Sequence, residues 1–179
     1  MPVPETKRLA IAIVTWNVRD LLLDCLRSAF ADLGRAHLQG EVWVVDNAST
    51  DGTVEAVHAA FPAAGDVSLH VLEAGANVGF AAANNLALRA MGFGGGGVGA
   101  GRMPDFVLLL NPDTLVRPGA FQALVEGMQV TGAGLAGPRL VYGDGSFQHS
   151  AFEFPGLAQL IIDLFPVPGR LVESRLNGR

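Results

Sequence analysis

The sequence predicts an α/β protein built on a mostly parallel sheet flanked by helices. Short apolar runs rich in β-branched residues alternate with stretches of helical period, the pattern of a parallel sheet covered on both faces. Three polar clusters, Thr15-Trp16-Asn17, Asp46-Asn47 and Asn111-Pro112-Asp113, each follow one of the predicted strands. Successive parallel strands end at the same edge, so all three clusters are expected there, where open α/β sheets bind their ligands.

The first element is LAIAIVT (9–15), a buried strand preceded by a polar, loose start over residues 1–8. Its apolar run is too short for a signal peptide and meets Asn17 without a small-residue cleavage site. A helix is predicted from Arg19 to Leu33, with the stripe Leu22, Cys25/Leu26, Ala29/Phe30 and Leu33 facing the core. EVWVV (41–45) is the second strand, and Thr53 to Phe61 a short helix stopped by Pro62. VSLHVLE (67–73) is the third strand, Phe80 to Met91 the next helix, and a glycine-rich connector fills Gly92 to Gly101. DFVLLL (105–110) is the fourth and most apolar strand. The following helix is expected over Pro118 to Val130, with Pro118 in its first turn. GLAGPRLVY (134–142) reads as extended, with Gly143-Asp144-Gly145 turning into FQHSAFEF (147–154). LAQLIIDLF (157–165) presents apolar residues that call for a covering surface, either a second copy or a membrane surface. The predicted organisation is thus a loose N-terminus (1–8), a ligand-binding domain (9–155), and an apolar segment with a tail (156–179).

Composition excludes several functions. With 179 residues, 50% of them hydrophobic, the chain can bury about 70% of its unfolded surface in one domain. A net charge of −5 argues against a nucleic-acid partner. No apolar stretch reaches the ~18 residues of a membrane span. The single cysteine, Cys25, allows no internal disulfide and suits a reducing compartment, so the expected location is cytoplasmic, at most at the cytoplasmic face of the membrane. Lys7 is the only lysine, which removes lysine-dependent phosphate loops and Schiff-base chemistry. The run Gly92-Phe93-Gly94-Gly95-Gly96-Gly97 matches a dinucleotide fingerprint formally, but it follows a helix and leads into a strand, the reverse of what that motif requires. His37, His58, His70 and His149 lack zinc-ligand spacing.

Carboxylate and amide chemistry remains. Asp113 follows a very apolar strand and a stiffening Pro112. One carboxylate there suits Mg²⁺, which takes one or two protein carboxylates and completes its shell with phosphate oxygens and water. In VVDNASTDGT (44–53), Asn, Asp, Ser and Gly make turns for local reasons, and Asp51 is expected to be the N-cap of the helix that follows. Asp46 is placed to accept a hydrogen bond from a ligand N–H such as a pyrimidine imide. The helix starts after residues 49–51 and 77–79 offer N–H groups to phosphate.

IVTWN (13–17), VVDNASTDGT (44–53), NVGFAAANN (77–85) and LLLNPDT (108–114), in that order, resemble family 2 glycosyltransferases of the GT-A fold. GPRLVYGDGSFQHS (137–150) extends the likeness toward the rhamnosyltransferase-like branch. The resemblance implies inverting transfer of a sugar, dTDP-rhamnose being one donor, from a nucleotide diphosphate to a carbohydrate or lipid-linked acceptor, with Mg²⁺ or Mn²⁺. It implies that Asp46 contacts the donor base and Thr15 lines its pocket, that Asn77, Gly79 and Asn85 border the nucleotide, and that Asp113 touches the metal. Asn111 stands where the family's Asp-X-Asp motif has its first carboxylate, leaving one acid rather than two. The family's general base comes from a downstream Glu-Asp motif that these 179 residues lack. The expectation is therefore a donor-binding portion truncated on the acceptor side, with a non-catalytic nucleotide-sugar-binding or scaffold protein as the alternative. A sugar-nucleotide nucleotidyltransferase would need a glycine-rich basic signature that residues 9–17 do not carry.

Overall fold

The computed structural model describes residues 6–62, 67–94 and 103–148. The chain divides into two units, Met1–Thr131 and Gly132–Arg179, with the boundary inside the single stretch expected over 9–155. The first unit holds β1 (Lys7–Thr15), α1 (Arg19–Leu33), β2 (Leu38–Asp46), α2 (Thr53–Ala60), β3 (Ser68–Glu73), α3 (Phe80–Ala90), β4 (Phe106–Leu109) and α4 (Ala120–Thr131). The four strands are parallel, in the order β3-β2-β1-β4.

That order fixes which face each helix covers. Progression from β1 through β2 to β3 runs one way, and right-handed crossovers put α1 and α2 on one face. The return from β3 to β4 runs the other way, so α3 crosses the opposite face. Packing follows this division. Leu9, Ile11 and Ile13 of β1, with Val42 and Val44 of β2, meet Leu22, Cys25, Leu26, Ala29 and Leu33 of α1, Val57 of α2 and Phe121 of α4. Cys25 is a fully buried core residue, as its place on the helical stripe predicts. The alternate residues Ala10, Ala12, Val14, Trp43 and Val45 meet Ala83, Ala87, Ala90 and Met91 of α3. Small residues on both sides let α3 approach the sheet closely. Each fully buried Ile, Leu or Val side chain contributes about 1.5–3 kcal/mol.

Several boundaries differ from expectation. β1 begins at Lys7 rather than Leu9, because Lys7 and Arg8 pair with Leu38 and Gln39 in the extended start of β2, and Lys7 Nζ lies 3.5 Å from Asp105. Asp46 is the last residue of β2, not the first beyond it. β4 is only half-buried and Leu109 is exposed, since the strand has one described neighbour, β1. Pro118 precedes α4, which starts at Ala120.

In the second unit, only Leu140–Val141 (β5) and Phe147–Gln148 (β6) of the expected extended runs form strands among the described residues. They are joined by the predicted turn, where Gly145 has φ +86° and Asp144 accepts from the N–H and hydroxyl of Ser146. The segment 157–165 and most of the glycine-rich connector lie outside the described residues.

Candidate functional site

The strand order reverses at β1, with β4 entering on its far side, and the crevice of an open α/β sheet lies beyond the carboxyl ends at such a point. Thr15 and Asp46 end β1 and β2 as register partners. Both are buried, at 1% and 4% exposure. Oδ2 of Asp46 accepts the N–H of Ser49 at 3.0 Å, while its Oδ1 and the Thr15 hydroxyl have no hydrogen-bond partner among the described residues. Two orphaned polar oxygens, one acceptor-only and one able to donate, thus lie side by side at the sheet's carboxyl edge. Each such group costs about 1–3 kcal/mol unless a ligand satisfies it.

Three loops close round this edge. Asn17 accepts from the Thr50 N–H at 2.7 Å, and its own N–H donates to Ser49 Oγ at 3.0 Å. Asn47, 4% exposed, donates to Oδ1 of Asn77 at 2.8 Å and accepts the Val78 N–H at 2.9 Å; Asn77 also accepts the Gly79 N–H at 3.1 Å. The backbone continues the link, with Asn47 N–H donating to the Thr15 carbonyl and Ala74 N–H to that of Asp46. Asn17 and Ala48 both have positive φ, 53° and 65°. Asparagine tolerates that conformation through local hydrogen bonds, but at Ala48 it costs about 1–2 kcal/mol.

Gly52, at φ +77°, is the N-cap of α2, not Asp51 as expected. Asp51 stands one residue further out, where Oδ1 accepts from the Thr53 N–H and hydroxyl and Oδ2 accepts the Arg19 N–H at 3.1 Å. Its carboxylate thereby clamps the start of α1 to that of α2. The Thr53 hydroxyl above all holds the Asp51 carboxyl below the ordinary aspartate value. Gly79 (φ +82°) is the N-cap of α3. Asn85 is exposed on that helix, and no hydrogen bond joins it to the other candidates among the described residues; its neighbour Asn84 is buried and donates to the Phe80 carbonyl at 3.0 Å.

After β4, Asn111 and Asp113 are both exposed. Leu110 N–H donates to the Ala12 carbonyl, which ties the start of this loop to β1. Below the loop, the Cys25 thiol donates to the Asn111 carbonyl at 3.5 Å, and Ser28 Oγ accepts the Val116 N–H at 3.0 Å. Burial raises the Cys25 thiol's pKa, and the nearby negative charge of Asp113 adds to the rise. Asp113 itself makes no hydrogen bond or ion pair among the described residues, and no cluster of three metal-ligating side chains occurs there. A divalent cation therefore fits this edge only as Mg²⁺ commonly binds, through one carboxylate plus phosphate oxygens and water.

Sequence reasoning missed Asn47 and Asn17 as loop ties. Their burial or positive φ depends on partners about 30 residues away, although both stand inside the polar clusters that mark the edge.

A parallel sheet of this order, with buried polar residues at its carboxyl edge, is an open, doubly wound α/β fold. Residues 10–155 match the model for "Glycosyl transferase family 2", and the chain belongs to that family. Two curated proteins of Mycobacterium tuberculosis, from strains CDC 1551 and H37Rv, are N-acetylglucosaminyl-diphospho-decaprenol L-rhamnosyltransferases; this chain is 34% identical to each over 117 residues, 65% of its own length and 36% of theirs. It therefore spans about a third of the length of these relatives. Among solved structures, it is similar to the mannosyltransferase PcManGT of Pyrobaculum calidifontis, a complex with GDP-Man and Mn²⁺, at 25% identity and TM-score 0.58, covering 70% of this chain and 33% of that one. TarS of S. aureus, residues 1–349 with UDP-GlcNAc, shares the fold at 20% identity and TM-score 0.52, covering 69% and 31%.

Proposed function

We propose that this chain is the donor-binding portion of an inverting glycosyltransferase that takes its sugar from a nucleoside diphosphate, with dTDP-rhamnose as donor and a lipid-linked or carbohydrate hydroxyl as acceptor. The observation that carries the reading is the pair of orphaned oxygens on Thr15 and Asp46. An acceptor-only carboxylate beside a hydroxyl donor complements a pyrimidine imide, whose N–H lies between two carbonyls. The 34% identity to L-rhamnosyltransferases that act on a decaprenol-linked acceptor supports the choice of rhamnose and of a lipid-linked acceptor. The choice of a pyrimidine nucleotide rests on the Thr15 and Asp46 oxygens.

Each group then has one task. Asp46 accepts the base N–H, and Thr15 donates to an adjacent carbonyl. Asn47 holds the Asn77–Gly79 loop at the mouth, and Asn77, Gly79 and Asn85 border the nucleotide. Asp113 would hold Mg²⁺ or Mn²⁺, and Asn111 would contact the substrate beside it. When bound, the cation supplies charge to stabilise the leaving diphosphate. The cytoplasmic side is the proposed place of this work, in keeping with a chain that has a single cysteine and so forms no internal disulfide.

The test is calorimetry with thymidine, uridine and guanosine diphosphates, with and without Mn²⁺, followed by turnover of dTDP-rhamnose. Pyrimidine diphosphates are expected to bind, more tightly with Mn²⁺. Failure of all of them to bind the folded protein would overturn the reading, whereas binding without turnover under any acceptor or extension would favour a non-catalytic nucleotide-sugar-binding protein.

A further inference from the structure

Asp32 is a buried carboxylate that the proposed donor site does not use. It lies in the last turn of α1 at 1% exposure, and the carboxyl end of a helix is the unfavourable place for a negative charge. Both of its oxygens accept main-chain N–H groups from a distant segment: Gly119 at 2.5 Å and Phe121 at 2.9 Å. Those groups open α4, where a carboxylate is favourable. The charge thus sits at the wrong end of its own helix in order to serve the start of another.

Asp32 does not act alone. Cys25, Ser28 and Asp32 follow one another at spacings of three and four, which puts them on one face of α1. The Cys25 thiol takes the Asn111 carbonyl, Ser28 takes the Val116 N–H, and Asp32 takes the Gly119 and Phe121 N–H groups. The loop after β4 is therefore fastened at its beginning, middle and end to a single rigid helix. Asp113 lies between the first two fastenings.

We propose that Asp32 is a positioning residue for Asp113: by clamping the far end of loop 111–119 onto α1, it sets where the metal-binding carboxylate stands at the sheet's edge. This rests on the reading of Asp113 as the group that holds the cation. An isolated carboxylate on a free loop would have to be ordered each time a nucleotide and cation arrive. One on a loop already fastened at three points binds without that loss.

The experiment compares the 179-residue protein with Asp32→Asn, which keeps one acceptor oxygen and loses the second and the charge. Affinity for thymidine diphosphate is measured by calorimetry in chelator and in Mn²⁺, and Mn²⁺ uptake by the nucleotide complex is followed by its electron paramagnetic resonance signal. Asp32→Asn is expected to cut the Mn²⁺-dependent gain by about 10–100-fold, the usual cost of removing a group that orients a ligand, while affinity in chelator stays at the parent value. Ser28→Ala, which loses one fastening, is expected to change the gain in the same direction by less, and it carries the test should Asp32→Asn fail to fold. A lower melting temperature with the Mn²⁺ gain intact would overturn the proposal and leave Asp32 as a cap of α4. Absence of any Mn²⁺ gain in the parent would overturn the metal reading itself, and this proposal with it, so the two failures are distinguishable.

Discussion

The side chain of Asn47 spans two loops, giving an N–H to Oδ1 of Asn77 at 2.8 Å and taking the N–H of Val78 at 2.9 Å. Both bonds lie within part-buried surroundings, so neither is freely replaced by water. Asn47 directly follows Asp46, and the loop it holds opens α3. The amide therefore couples the end of β2 to the entry of the helix on the opposite face of the sheet. Asn47→Ala breaks both bonds and leaves the Val78 N–H without its partner. The expected loss is about 1–3 kcal/mol, read as a lower midpoint in urea. Nucleoside diphosphate affinity should fall as well, because the loop at the pocket's mouth is released. An unchanged midpoint would show that the two loops hold their places without this tie.

Asp46→Asn tests the base contact. The variant keeps the shape and an oxygen for the Ser49 N–H, but removes the charge and puts a donor NH2 where the orphaned acceptor stood. A charge-assisted bond to a ligand N–H is worth ~1.5–3 kcal/mol, so affinity for thymidine or uridine diphosphate should fall about ten-fold or more. Calorimetry on the folded variant decides it, and equal affinity would remove Asp46 from the base pocket.

Ala48, at φ +65°, carries backbone strain with no polar side chain to offset it. Ala48→Gly relieves that strain, and part of the gain is given back as unfolded-state entropy. A net stabilisation of up to about 1 kcal/mol is expected in denaturant unfolding. A destabilised variant would mean that the methyl group's packing outweighs the strain.

How far the sequence discloses these features depends on the distance over which each is decided. The strands and the stripe of α1 are legible because periodicity is local: Leu22, Cys25, Leu26, Ala29 and Leu33 all reach the core as their spacing predicts. The shared edge of Thr15, Asp46 and Asn111 is legible too, since parallel strands leave their carboxyl ends together. The start of β2 at Leu38 is not, because Leu38–Gly40 are extended by pairing with Lys7–Leu9 rather than by their own character. Nor is the cap of α4. Pro118 signals a first turn locally, but the side chain that satisfies the first N–H groups comes from Asp32, 87 and 89 positions away. A carboxylate in the last turn of a helix was the one available hint, since it opposes the helix dipole. Asp51 shows the same limit on a smaller scale. Its type says N-cap, but Gly52 adopts the left-handed conformation, and Asp51 is drawn outward to Arg19 as well as Thr53.

The clamp at Asp51 should make stability depend on pH on the acid side. The Thr53 hydroxyl is the largest cause of its lowered pKa; burial opposes it, and the main-chain N–H groups of Arg19 and Thr53 add to the lowering. A carboxyl with a depressed folded pKa binds fewer protons in the folded state than in the unfolded one. Its stabilisation is therefore complete above the ordinary value of 3.8 and is lost as pH falls from there through the lower folded value. Asp51→Asn should remove that part of the acid dependence, so the gap between parent and variant narrows as pH drops below 3.8. Urea titrations across that range provide the check, and a gap that stays constant with pH would deny Asp51 this role.

Asp113→Ala separates a binding group from a structural one. Asp113 is exposed and makes no hydrogen bond or ion pair among the described residues, so its removal should leave folding stability within about 0.5 kcal/mol of the parent. Binding is where the loss should appear. A diphosphate approaching an acidic protein with a net charge of −5 meets overall repulsion, and a cation held by Asp113 would offset it. Thymidine diphosphate is therefore expected to bind the parent more tightly in Mg²⁺ or Mn²⁺ than in chelator, and to bind Asp113→Ala equally in both. In chelator the variant should match or slightly exceed the parent, because one negative charge has gone from the edge that receives the phosphates. Equal dependence on the cation in parent and variant would place the metal on the nucleotide alone, without a protein carboxylate.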